Sequence, residues 1–135
     1  MMEWQLQEQC FQWFVTEYPA HSKLLCYNMN NANSHIEGNK YKSIGLQAGR
    51  SDMVLYFNGT ATMIEFKIDN GEQSEKQKEW ELAVRMQGFE YYIIRNFADF
   101  QILMYHIIVE PLKFEGFENL YDFFEYGKRY IIGNN

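Results

Sequence analysis

The stretch SDMVLYFNGTATMIEFK, running from Ser51 to Lys67, decides the fold. Two mostly apolar runs, Met53–Phe57 and Thr60–Ile68, flank the dipeptide Asn58-Gly59. Asn-Gly between apolar runs is the strongest short-range signal for a β-hairpin, because both turn positions need a positive φ. With a two-residue turn, Phe57 pairs with Thr60, and counting outward sets Asp52 opposite Glu65. Directly paired positions bring Cβ atoms within roughly 4.5–5.5 Å of each other on one face of the ladder. Lys67, two residues past Glu65, joins that face. Ile64, Phe66 and Ile68 point the other way, towards a core.

Two carboxylates so placed repel each other unless something neutralises them. A hard divalent cation such as Mg²⁺ or Mn²⁺ suits the task, since it takes carboxylate oxygens, a backbone carbonyl and waters. A lysine beside it can hold a water or stabilise developing negative charge. Together these parts fit metal-assisted hydrolysis of a phosphodiester. The plainer reading is that Asp52, Glu65 and Lys67 are strand-end charges facing water. A bulge in the hairpin would also shift the pairing.

The flanking sequence supplies the other elements. Glu3 to Tyr18 reads as a helix, with Leu6, Cys10, Trp13 and Phe14 at spacings of three and four and Pro19 at its end. LLCYNMN, from Leu24, reads as a short strand, and NNANSHIEGN, from Asn30, as a loop of turn formers. Past the hairpin, Ser74 opens a helix. Ser74 and Gln77 fit the Ser-x-x-Gln capping pattern, Trp80, Ala83 and Val84 form its apolar stripe, and Gly88 ends it. FEYYIIR, from Phe89, reads as a strand buried on both faces. Asn96 caps a helix that runs to about Ile108 and is broken by Pro111. One more helix is expected around Leu120. The order predicts a single mixed α/β domain with a small central sheet flanked by helices.

Composition narrows the function classes. The chain has 135 residues, 47% of them hydrophobic and 18% aromatic, enough for one core. No apolar stretch approaches the ~20 residues of a membrane span, so no membrane partner is expected. The first residues show no secretory signal. Cys10 and Cys26 are therefore expected as free thiols in a reducing compartment, the cytoplasm of a bacterium, in a host- or phage-encoded chain. The scattered His21, His35 and His106 suggest no zinc site. The net charge of −6 argues mildly against a nucleic-acid partner. The charges are uneven, however: Lys23 to Arg50 is basic and Glu110 to Glu125 acidic.

At these residues the chain resembles the VRR-NUC domain of the PD-(D/E)XK nuclease superfamily. GLQAGRSDMVLYF, MIEFK and SEKQKEWELAVRMQGFEYYIIRNFADF match its Gly-x-x-x-Gly-x-Pro-Asp segment, its Glu-x-Lys strand and its Ser-x-x-Gln helix start. EWQLQEQCFQWFVTEYP resembles its first helix. The likeness covers about residues 3–104 and leaves 110–135 as a C-terminal extension. It implies a restriction-endonuclease-like core and a Mg²⁺- or Mn²⁺-dependent DNA endonuclease. Asp52 and Glu65 would bind the metal with the carbonyl of Phe66, and Glu3 would add a carboxylate from the first helix. Lys67 would position or activate the attacking water, with Gln77 close by. Gln7 occupies a family glutamine position, and Asn30 matches the asparagine of a family Pro-Asn segment, here Met29-Asn30, and would touch DNA.

Lys40, Lys42 and Arg50 read as phosphate contacts or as a solvated face. Stand-alone relatives dimerise and cut branched DNA such as four-way junctions, which implies a homodimer with two active sites for a two-fold substrate. Two departures stand out: Ser51 replaces the family proline, and NANSH lacks the arginines many relatives carry after the asparagine. The alternatives are a catalytically silent nucleic-acid-binding module and a protein-interaction domain of the same fold.

Overall fold

A computed structural model describes residues 1–29, 35–111 and 119–132 of the chain. Helix α1 (Glu3–Glu17) leads through a 3₁₀ turn (Pro19–Leu24) into strand β1 (Leu25–Tyr27). Helix α2 (His35–Ser43) precedes the hairpin of β2 (Met53–Phe57) and β3 (Thr60–Phe66). Helix α3 (Glu75–Met86), strand β4 (Glu90–Ile94) and helix α4 (Phe97–Met104) follow. A wide π-type turn (Tyr105–Val109) extends α4, and helix α5 (Leu120–Gly127) continues into a similar turn (Lys128–Ile132).

The sheet order is β1-β2-β3-β4. β1 and β2 are antiparallel, as are β2 and β3, while β3 and β4 run parallel with α3 as the crossover. The expected mixed α/β architecture is present. Asn58 and Gly59 both have positive φ, 56° and 79°, as the tight turn requires. Phe57 pairs with Thr60 and Met53 with Ile64, so the register counted from the turn is the register found.

Two apolar layers sandwich the sheet. Leu6, Cys10 and Phe14 of α1 bury against Leu55, Ile64, Phe66, Ile94 and Phe100. Each full burial of such a side chain contributes roughly 1.5–3 kcal/mol. Val54, Ala61, Met63 and Tyr91 form a smaller layer on the other face, covered by Trp80 and Val84 of α3. β3 alternates between the layers, so Met63 and Glu65 face α3 while Ile64 and Phe66 face α1.

The structure departs from the sequence reading in three places. The segment expected as a loop contains α2, despite Gly38 and Asn39 inside it; Lys40 and Lys42 in the last turn favour its C-terminal end. Ala83, expected in the buried stripe of α3, is exposed, because only Trp80 and Val84 reach the small layer. The stretch set apart as a C-terminal extension is partly core: Phe123 and Phe124 bury among the α1-side residues. Lys128 anchors this segment, its ammonium 3.2 Å from the carboxylate of Asp99 on α4. Cys10 and Cys26 are both free, and burial pushes the Cys10 thiol up to about 12.

Candidate active site

The hairpin ladder ends at Met53–Ile64, one pair short of Asp52 and Glu65. Asp52 lies in a bend before β2 rather than across a closed pair from Glu65, which corrects the geometry counted from the turn. Its carboxylate accepts the backbone N–H of Phe66 at 2.7 Å. N–H and C=O of one strand residue leave along the same edge, so the Phe66 carbonyl is directed to the side where Asp52 stands. The bend is held from β1. Asn28, buried, donates its side-chain amide to the Ser51 carbonyl at 3.2 Å and its backbone N–H to the Asp52 carbonyl at 2.9 Å. Ser51 is buried and donates its hydroxyl to the Met53 carbonyl at 3.0 Å, a local bond that a proline could not make.

Glu65 is 0% exposed, and Lys67 only 8%. Oε1 of Glu65 accepts the Tyr91 hydroxyl and the Gln73 amide, the latter at 3.4 Å. Gln73 also donates to Glu81 at 2.9 Å, and Glu81 pairs with Arg85 at 2.6 Å. Arg85 in turn donates to the Tyr91 carbonyl at 2.6 Å, with its guanidinium 5.9 Å from the Tyr91 ring centroid. One oxygen of Glu65 is thus fixed by a closed network of side chains. The other, Oε2, is buried with no hydrogen-bond partner.

The Lys67 ammonium donates to Oε1 of Gln77 at 3.1 Å. The same Gln77 oxygen accepts the Ser74 N–H at 2.8 Å, and the Gln77 N–H donates back to the Ser74 hydroxyl at 3.2 Å. Gln77 is therefore at once the reciprocal member of the α3 capping box and the partner of the lysine. Gly49 sets how closely the Asp52 loop meets this helix start. It has φ +83°, and a Cβ there would lie 2.7 Å from Gln77 N and overlap the Lys76 carbonyl.

Asp52 feels its neighbours. Burial pushes its carboxyl above the usual 3.8; the Phe66 N–H draws it down, Glu65 and Glu3 push it further up, and Lys67 draws it down. Glu3, in the first turn of α1, shares a cleft of about 530 Å³ with Asp52 and Gln7. Gly71 lies between Glu3 and Lys67: a Cβ on it would sit 3.6 Å from the Glu3 carboxylate and 3.7 Å from Lys67 Cδ.

Not every expected residue joins this cluster. Lys40 and Lys42 are exposed on the last turn of α2 and do not line the Glu3–Asp52 cleft. Arg50 is half-buried two residues before Asp52. Asn30 lies outside the described residues. The sequence does not single out Asn28, Gln73 or Tyr91 as site residues, and Tyr91 lies in the FEYYIIR strand expected to be buried on both faces. Their sequence signals are ordinary, and only the folded contacts single them out.

The arrangement suits a hard cation in part. A buried carboxylate with one oxygen lacking a hydrogen-bond partner, beside a second carboxylate, is a donor set that a cation would satisfy. Among the described residues no three His, Cys, Asp or Glu side chains form a group that could hold a metal ion. Mg²⁺ is commonly held by only one or two carboxylates, with waters and substrate phosphates completing its shell. Asp52, Glu65 and the Phe66 carbonyl are compatible with that incomplete shell.

What these features describe is an α/β domain with acids and a lysine gathered at one end of its sheet. The VRR-NUC domain model matches residues 1–98, and the chain belongs to that family, a nuclease-type domain family. Among solved structures it is similar to a VRR_NUC domain protein, with a TM-score of 0.68 at 17% identity, over 80% of this chain and 88% of the other. At that identity the likeness speaks for the fold. No curated protein matches the chain.

Proposed function

We propose that the protein is a divalent-metal-dependent DNA endonuclease and that Asp52, Glu65 and Lys67 form its PD-(D/E)XK motif. The observation that carries this reading is the buried Glu65, with one oxygen locked by Tyr91 and the other unpartnered, in the electrostatic neighbourhood of Asp52. Asp52, Glu65 and the Phe66 carbonyl would hold Mg²⁺ or Mn²⁺, and Glu3 would add charge from α1. Such a cation supplies positive charge to a phosphodiester and acidifies nearby water.

The chain's own residues do the rest. Lys67, steadied by Gln77, presents its ammonium to the attacking water or to charge building on the phosphate oxygens. The Phe66 N–H keeps the Asp52 carboxylate turned to the sheet end. Lys40, Lys42 and Arg50 would meet phosphates away from the scissile bond. A homodimer would offer two such sites to a four-way junction.

The test is a nicking assay on linear and branched DNA with Mg²⁺ or Mn²⁺, with a chelator arm. Cutting should require the metal. Lys67→Ala should lower the rate by about 10²–10³-fold, the cost of one lost charge-stabilising group, and Glu65→Gln should abolish cutting. Binding without cutting under every metal would favour a silent module. The absence of binding even at low salt would favour a protein-interaction domain.

A further inference from the structure

The Glu3–Asp52 cleft does not stop at the acids. Trp4, Gln7 and Tyr27 line it, and the same three residues line a second cleft of about 440 Å³ that runs on between α1 and the β1 edge to Leu25 and Phe11. The two form one groove leading away from the candidate active site. Trp4 is 57% exposed and Tyr27 65%, large aromatic surfaces left open on its walls. β1 is an edge strand of only three residues, and among the described residues no strand covers Tyr27 from outside.

We propose that this groove takes unpaired bases of a DNA strand whose phosphodiester lies at Asp52 and Glu65; the proposal rests on the nuclease reading above. Three features favour bases over other occupants. The walls are aromatic, and every base has a π-face to stack on them. The Gln7 amide between the aromatics offers both a donor and an acceptor to a base edge. Glu3, Glu8 and Asp52 are the acids along the groove, so it repels phosphate backbone while tolerating neutral bases. A base stacked within duplex has no free face to offer, so the groove selects strands that are single, flapped or opened at a junction.

The test is binding of a short oligothymidylate and of a blunt duplex, each labelled with fluorescein and followed by anisotropy in EDTA at low salt, where no strand is cut. Trp4→Ala and Tyr27→Ala should each weaken oligothymidylate binding about tenfold, the usual cost of losing one stacked base, and change duplex binding by less than about twofold. Trp4→Phe and Tyr27→Phe, which keep a ring, should retain affinity. Oligothymidylate should quench tryptophan emission in the parent and not in Trp4→Phe. Equal losses on both probes, or none on oligothymidylate, would overturn the proposal. So would a Trp4→Ala variant whose only change is its sedimentation mass, because the groove would then be a contact between copies. Metal-dependent nicking that Glu65→Gln abolishes, with unchanged oligothymidylate affinity in Trp4→Ala, sinks the groove and spares the nuclease. Selective stacking losses without nicking under any metal do the reverse.

Discussion

The Tyr91 hydroxyl donates to Oε1 of Glu65, joining β4 to β3 across 26 residues of sequence in a buried setting. It decides which carboxylate oxygen is spoken for and which is left over. Burial and the neighbouring Glu65 carboxylate push the Tyr91 phenol well above its ordinary value, so it stays a donor at all working pH. Tyr91→Phe keeps the ring and its packing but removes that donor. The variant should lose about 1–3 kcal/mol in urea unfolding, the penalty for a buried group stripped of a partner. It should also bind Mn²⁺ about 10–100-fold more weakly by calorimetry, as expected when the group that orients a ligand is removed. Parent-like Mn²⁺ affinity would show that Tyr91 is core only.

Gln77 serves the helix cap and Lys67 with one oxygen, and the two roles can be separated. Ser74→Ala removes the cap hydroxyl and leaves the Lys67 bond, so it should cost about 0.5–2 kcal/mol of stability with nicking unchanged below the melting transition. Gln77→Ala should cost similar stability and also slow nicking, because the ammonium loses its tether. Equal rates for the two variants would limit Gln77 to capping.

Gly49 should not tolerate a side chain. Ala there faces both a left-handed φ and the backbone of Lys76 and Gln77. Gly49→Ala should destabilise by about 1–3 kcal/mol, measured by urea unfolding, with a larger fractional loss of nicking than Ser74→Ala, since the Asp52 loop and the start of α3 must part.

Asp99 sets a pH dependence away from the site. Burial pushes its carboxyl above 3.8, against the pull of Lys128. The folded state therefore holds this proton more tightly than the unfolded chain. The stability it contributes is complete below pH 3.8 and is lost as pH rises through the folded value. Asp99→Asn carries no such loss, so its stability relative to the parent should improve from about pH 4 to about pH 7. Urea midpoints at the two pH values check this; a difference that does not change with pH contradicts it.

The hairpin was legible because Asn58-Gly59 permits few turns, and register then follows by counting. The α3 start was legible because Ser74 and Gln77 interact locally. The α1-side layer was legible from the alternation in β3, which turns Ile64 and Phe66 to one face. The ladder's early end was hidden, because it depends on Asn28, a residue of β1's far flank, drawing the Ser51–Asp52 backbone away. The Glu65 network was hidden for the same reason: Gln73, Tyr91 and Arg85 carry no pattern of their own and meet only through the β3-α3-β4 crossover. α2 was missed because Gly38 and Asn39 weigh against a helix in any local count. The burial of Phe123 and Phe124 was hidden, because the residues that cover them come from α1 and α4, distant in sequence.

Asp52 and Glu65 are proposed to share one divalent cation. Anomalous difference density from a crystal soaked in Mn²⁺ tests it most directly. One strong peak is expected within coordination distance of Asp52, Glu65 Oε2 and the Phe66 carbonyl, absent from Glu65→Gln crystals. A map with no peak there, or with manganese bound only elsewhere, would contradict it.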